Sequence, residues 1–264
     1  MGSESIRPVT PEPVRYERDG AAAILTIDRQ ERRNAVDGPT AELLADGYRR
    51  FEDDDEARVL VLTGAGDVSF CAGADLKAID SFAPRLEDPN GPLGFTRRTP
   101  SKPTIAAISG WCLAGGLELA LWCDLRIAAA GSTLGFPERR WGVPLIDGGT
   151  QRLPRIVGLG RALDMILTGR MVPGEEALQM GLLNEIVPPG EHLTRALVLA
   201  EALARFPQET MLSDRRAAIE GIGMTFEEGL AHEAKAGWEV FAVAQRGAAR
   251  FAAGEGRGGE GAGA

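Results

Sequence analysis

An α/β fold with a helical C-terminal region is predicted by three features of the 264-residue sequence. Short apolar, β-branched segments alternate with segments of helical period as far as Gly158. Beyond Gly158 the apolar period is helical almost throughout, with Gly and Pro marking the breaks. No uninterrupted apolar run approaches the roughly 18 residues of a membrane span, because Glu118, Asp124 and Arg126 interrupt the richest stretch.

Taken in order, residues 1–12 read as a loose polar, Pro-rich tail. Val14–Glu17 and Ala22–Asp28 are strands joined at Asp19-Gly20, a dipeptide suited to a tight hairpin turn. Leu43, Leu44, Gly47 and Phe51 place a helix over Thr40–Phe51, and Arg58–Thr63 reads as a buried strand. Asp80–Thr99, with Pro84, Pro89 and Pro92, reads as a flexible excursion. Lys102–Ser109 is a strand, Leu117–Cys123 a helix, Leu125–Ala129 a strand and Thr133–Phe136 a short extended piece. Helices are expected over Arg161–Thr168, Gly174–Met180, Glu191–Arg205, Gln208–Ile219 and Phe226–Phe251, and Gly254–Ala264 is a Gly-rich tail. The implied organisation is a core over 13–200 and a helical association region over 201–253.

Charge and cysteine usage narrow the function. With 38 acidic and 29 basic side chains the net charge is −9, which argues against a partner bound chiefly through nucleic-acid phosphates. Three cysteines, none in a CxxC pair, and two histidines make neither a disulfide framework nor a closed zinc site. The N-terminus has no apolar stretch of signal-sequence type, so a cytoplasmic protein with reduced thiols, no metal and no membrane partner is expected.

Candidate chemistry gathers in three segments. In Phe70–Lys77, Gly73 permits a bend that leaves the Ala74 amide free to face a ligand; the alternative is a plain strand-to-helix turn with Asp75 at the helix start. In Gly110–Ala120, Gly115 and Gly116 open an apolar helix whose first amides lack partners and whose dipole favours negative charge. Glu118, one turn inward among leucines, either complements that dipole or is a functional carboxyl. The third segment brings Glu138 beside Arg139 and Arg140, then Asp147-Gly148-Gly149. No phosphate-binding GxxxxGK[ST], GxGxxG or nucleophile-elbow GxSxG is present.

Together these segments resemble the crotonase, or enoyl-CoA hydratase/isomerase, family. The resemblance rests on Asp28-Arg29 with Arg33-Asn34-Ala35, on FCAGADLK (Phe70–Lys77), on GWCLAGGLELALWCDLRIA (Gly110–Ala128), on FPE (Phe136–Glu138) and on GGTQRLPRIVG (Gly148–Gly158), in the family's order. It implies a spiral of repeated ββα units with a C-terminal helical region, assembled as homotrimers or dimers of trimers. It also implies an acyl-CoA substrate, no separate cofactor, and an enolate held by the backbone amides of Ala74 and Gly115. Glu118 and Glu138 match the two glutamates with which hydratases add water to an enoyl thioester. Ala72, Asp75, Leu76 and Lys77 would line the substrate, with Arg29 and Ala35 near the CoA moiety. An isomerase or other enolate-forming enzyme, and a CoA- or RNA-binding member without catalysis, are the competing readings. Two positions depart from the hydratase pattern. Ile146-Asp147 precedes Gly148-Gly149 where glycine and alanine are usual, so Asp147 either caps that turn or meets a polar acyl substituent. Glu255 stands where a lysine is common.

Overall fold

The computed structural model describes residues 12–255. The tails expected at 1–12 and 254–264 lie, but for Glu12, Gly254 and Glu255, outside the described residues.

The chain opens with a hairpin of β1 (Val14–Asp19) and β2 (Ala22–Ile27). Asp19 pairs with Ala22, so the two-residue loop is Gly20-Ala21, one position later than the sequence suggested. Gly20 takes φ +56°, the positive angle a tight hairpin needs at its first loop position. Helix α1 (Gly38–Asp53) starts where Asp37 accepts the Thr40 amide and Pro39 occupies the first turn.

The next strands alternate between two sheets. β3 (Val59–Gly64), β5 (Thr104–Ile108) and β7 (Leu125–Ala129) join the first; β4 (Ser69–Cys71), β6 (Trp111–Leu113) and β8 (Thr133–Gly135) join the second. Each pair is followed by a helical segment: a kinked 3-10 stretch over Leu76–Arg85, then α2 (Gly115–Trp122), then a 3-10 turn over Pro137–Trp141. This is a spiral of ββα units. It closes with α3 (Gly149–Val157), α4 (Leu159–Thr168), β9 (Met171–Pro173), α5 (Gly174–Gln179) and β10 (Glu185–Val187). The sheets run β1-β2-β3-β5-β7-β10 and β4-β6-β8-β9, parallel except at β1-β2 and β8-β9.

Both faces of the first sheet are covered, which is why its central strands are apolar at consecutive positions. Leu60, Leu62, Ala106 and Ile108 face the main core. Val59, Val61, Ile105 and Ala107 face Ala196 and Ala200 of α6 (His192–Ala204). That helix runs through residue 200 and packs on the sheet, so the expected division at 200 falls inside an element of the core. Helices α7 (Gln208–Glu220), α8 (Phe226–Glu239) and α9 (Phe241–Ala252) follow. The single helix expected over Phe226–Phe251 is broken at Val240, where φ −107° and ψ 11° leave helical geometry.

The largest correction concerns residues 80–99. Far from being a loose excursion, this segment contributes buried Phe82, Leu93, Phe95 and Thr96. The Phe95 ring centroid lies 4.4 Å from that of Trp122 and 5.5 Å from that of Tyr48. Arg85 Nε donates to the Pro92 carbonyl at 2.9 Å and ties the segment to itself. Its prolines shape a packed connection instead of a free one. Among the described residues no helix is long and apolar enough to cross a membrane, and no group of three metal-ligating side chains gathers.

Candidate active site

Two backbone amides without acceptors among the described residues lie side by side. The loop after β4 is clasped by Val36, whose N–H donates to Gly73 O at 2.8 Å and whose carbonyl accepts the Asp75 amide at 2.7 Å. That pairing turns the intervening Ala74 N–H away, and it donates to no group among the described residues. Gly73 takes φ +93°, and a Cβ there would stand 2.8 Å from both Gly115 N and the Ala114 methyl. Glycine is therefore demanded by conformation and by contact. Across from it, Ala114 holds φ 52° and ψ −127°, a strained setting for a residue with a side chain, fixed by its amide bonding Gly135 O at 2.9 Å. The strain turns the chain so that α2 begins at Gly115 with a first-turn amide that has no acceptor.

Three carboxyls border the same space. Glu118, on the first turn of α2, is 3% exposed, and its Oε1 accepts from Asp147 N at 2.9 Å and Gly149 N at 2.8 Å. Burial, reinforced by the charge of Asp147, pushes its pKa up to about 8 against the pull of those two amides. Glu138, in the 3-10 turn after β8, is buried with no hydrogen-bond partner on either oxygen among the described residues, and burial pushes its pKa up to about 7. A buried carboxyl without partners is costly in a merely structural role.

Asp147 overturns one of its two expected roles. It takes no hydrogen bond from the Gly148-Gly149 turn. Its Oδ1 instead accepts from Leu93 N at 3.0 Å and from the Thr96 hydroxyl, more than 50 residues away. Only Oδ2, which accepts nothing, remains for the second expected role, a polar acyl substituent. Burial pushes this carboxyl above its ordinary range as well.

Ala74, Gly115, Glu118, Glu138 and Asp147 open onto one cavity of about 340 Å³ whose remaining walls are mostly apolar. Ala72 and Leu76 line it, as the resemblance implied. Arg29, Ala35, Asp75 and Lys77 do not. Arg29 is engaged by Asp37 at 2.8 Å, Asp75 at 3.1 Å and the Ala35 carbonyl, and Asp75 also caps the next helical segment at Lys77 N. Those contacts fix the loop that carries Ala74; Lys77 is exposed beside it. Leu93, Phe82 and Trp141 also line the cavity and went unnoticed in the sequence. The first two sit where proline spacing suggests loose chain, and only the helical spacing of Leu76, Ile79 and Phe82 hints at a buried face.

Comparison with known proteins shows the family. A sequence model of the enoyl-CoA hydratase/isomerase family matches residues 17–254. The short-chain-enoyl-CoA hydratase of Clostridium acetobutylicum is 35% identical over 86% of this chain and 88% of its own length. The crotonyl-CoA hydratase of Syntrophomonas wolfei is 34% identical over 88% and 91%. A solved enoyl-CoA hydratase from Mycobacterium marinum superposes with a TM-score of 0.86 at 37% identity, covering 91% of this chain and 96% of that one. With its ββα spiral and its paired amides beside two buried carboxyls, this chain belongs to the enoyl-CoA hydratase/isomerase family.

Proposed function

We propose that the protein is an enoyl-CoA hydratase, adding water across the 2,3 double bond of an acyl-CoA thioester. The observation that carries this reading is the pair of buried carboxyls, Glu118 and Glu138, facing one apolar cavity beside two amides with no acceptor. The thioester oxygen accepts from Ala74 N–H and Gly115 N–H, at the start of α2 where the helix dipole favours negative charge. Negative charge grows on that oxygen as the enolate forms, so donors held ready there contribute on the order of 3–4 kcal/mol to the transition state. Hydration needs one group to take a proton from water and one to deliver a proton to C2. Carboxyls raised to about 8 and about 7 hold a single proton between them near neutrality, which is the state that performs both tasks.

An isomerase needs only one carboxyl to move a proton, so the second buried acid favours hydration. A CoA-binding role without chemistry leaves the unpartnered carboxyl of Glu138 without a purpose, and an RNA-binding role sits poorly with a net charge of −9. CoA enters as part of the substrate, with no separate cofactor or metal. The exposed Lys77 and the loop held by Arg29, Ala35 and Asp75 form the CoA side of the reading. Three buried free thiols support a reducing, cytoplasmic setting. The deciding assay is loss of the conjugated thioester absorbance of crotonyl-CoA and longer 2-enoyl-CoAs. No absorbance change with any of them, while 3-enoyl-CoAs gain conjugation, would decide for the isomerase.

A further inference from the structure

Asp147 joins three parts of the chain that are remote in sequence. Its carboxylate accepts from Leu93 N and the Thr96 hydroxyl, and its own amide donates to Glu118 Oε1 at 2.9 Å. Arg152 doubles the link: one guanidinium nitrogen donates to Asp147 O at 2.9 Å and the other to Thr96 O at 2.6 Å. Gly148 leaves room for that guanidinium, since a Cβ there would lie 2.0 Å from Arg152 Nη1. The linked turn carries Leu93, whose Cδ1 would stand 2.9 Å from a Cβ built on Gly115. The position of this turn therefore sets how closely the acyl wall approaches the free amide.

Accordingly, the geometry points to Asp147 as a positioning residue for hydration: through one rigid link it holds the Leu93 wall against the Gly115 amide and holds the Glu118 carboxyl toward the cavity. This rests on the hydratase reading. The side chain acts on the turn by its Oδ1 bonds and on Glu118 by its charge. The charged groups facing it are Arg97, Arg152 and Glu118, and those facing Glu118 are Asp147, Glu138 and Arg152.

The two actions separate by substitution. Asp147→Asn keeps an oxygen for both donors and removes the charge. It loses less kcat than the alanine variant, and the pH limb governed by Glu118 moves toward lower pH. Asp147→Ala releases the turn; kcat falls by about tenfold or more, because small misplacements near reacting groups are expensive. The preference for 2-octenoyl-CoA over crotonyl-CoA, worth up to about fourfold per buried methylene in a well-fitted wall, shrinks with it. Thr96→Val, which removes one donor only, shifts that preference in the same direction by less. The measurements are kcat and KM across an enoyl-CoA series, pH profiles, and calorimetric dissociation constants for butyryl-CoA and octanoyl-CoA, which bind without reacting. A folded Asp147→Ala protein with the parent's kcat and chain-length ratios would overturn the proposal. So would an Asp147→Asn protein as impaired as the alanine variant with an unmoved pH profile. If Asp147→Ala does not fold, Thr96→Val and Asp147→Asn decide. If the parent hydrates no enoyl-CoA, the functional reading falls alone, and the octanoyl-to-butyryl affinity ratio in Thr96→Val still tests the wall.

Discussion

In the proposed hydration two carboxyls and two amides carry the chemistry, and each has a separate signature. Glu118→Gln and Glu138→Gln should each lower kcat by roughly 10²–10⁴, with circular dichroism showing an intact fold. Full turnover in either variant would return that glutamate to a structural role. Because both acids titrate above the ordinary carboxylate range, kcat/KM for crotonyl-CoA should be bell-shaped around pH 7–8, falling as both protonate and again as both ionise. The same shifts act on stability with a definite sign. A carboxyl raised on folding favours the folded state fully below the ordinary value of 4.5, and that contribution is lost as pH rises through the folded value of about 7 for Glu138. Glu138→Gln should therefore melt above the parent by about 2–4 °C at alkaline pH, with the gap closing under acid. Equal gaps at both pH values would mean that burial does not hold the proton. Gly115→Pro removes one donor and, because a Cβ there would stand 2.9 Å from Leu93 Cδ1, also crowds the acyl wall, so turnover of a folded variant should fall by at least about 10²–10³.

At the level of elements, close packing places the amides. A Cβ on Gly116 would stand 2.0 Å from the Cys71 carbonyl, so α2 presses its backbone directly on β4. Gly116→Ala touches neither amide nor carboxyl, yet it must push these elements apart. A folded variant should lose about 10²-fold in kcat through displacement of Gly115 from Ala74. Wild-type turnover would show that the contact relaxes without moving the site. The packed segment over 80–99 is the second element of consequence. Phe95→Ala should cost about 3–5 kcal/mol, read as a lower midpoint in urea, because it empties the space between Tyr48 and Trp122. A loss below about 1 kcal/mol would mean that the segment is held by its hydrogen bonds alone.

At the scale of the whole molecule, the C-terminal helices expose large apolar side chains among the described residues. Phe226 is 83% exposed and Trp238 75%, and Phe241 and Phe251 continue the series on α9. We propose that the C-terminal helices serve association into homotrimers or dimers of trimers. Light scattering at micromolar concentration should give three or six times the chain mass, and Phe226→Asp with Trp238→Asp should reduce it. A stable monomer in the parent protein would refute this assembly.

Most of the architecture could be read from the sequence because it obeys local rules. The strand Val59–Gly64 opens as an apolar run, the hairpin turn needs Gly20, and proline and glycine mark the helix ends. Glu118 could be picked out because a charged residue among leucines is conspicuous on the printed chain, whereas Glu138, beside Arg139 and Arg140, reads locally as a surface charge cluster and stands out only through the family resemblance. Their environment could not, since the Asp147 and Gly149 amides reach Glu118 from about 30 positions away in the sequence. The three-residue strands β9 and β10 carry too few residues for a period, so only pairing with β8 and β7 defines them. Asp147 is the clearest case. Local turn chemistry predicts a cap on Gly148-Gly149, whereas the folded chain brings Leu93 and Thr96 within reach of its carboxylate, and burial with two donors outweighs the adjacent turn.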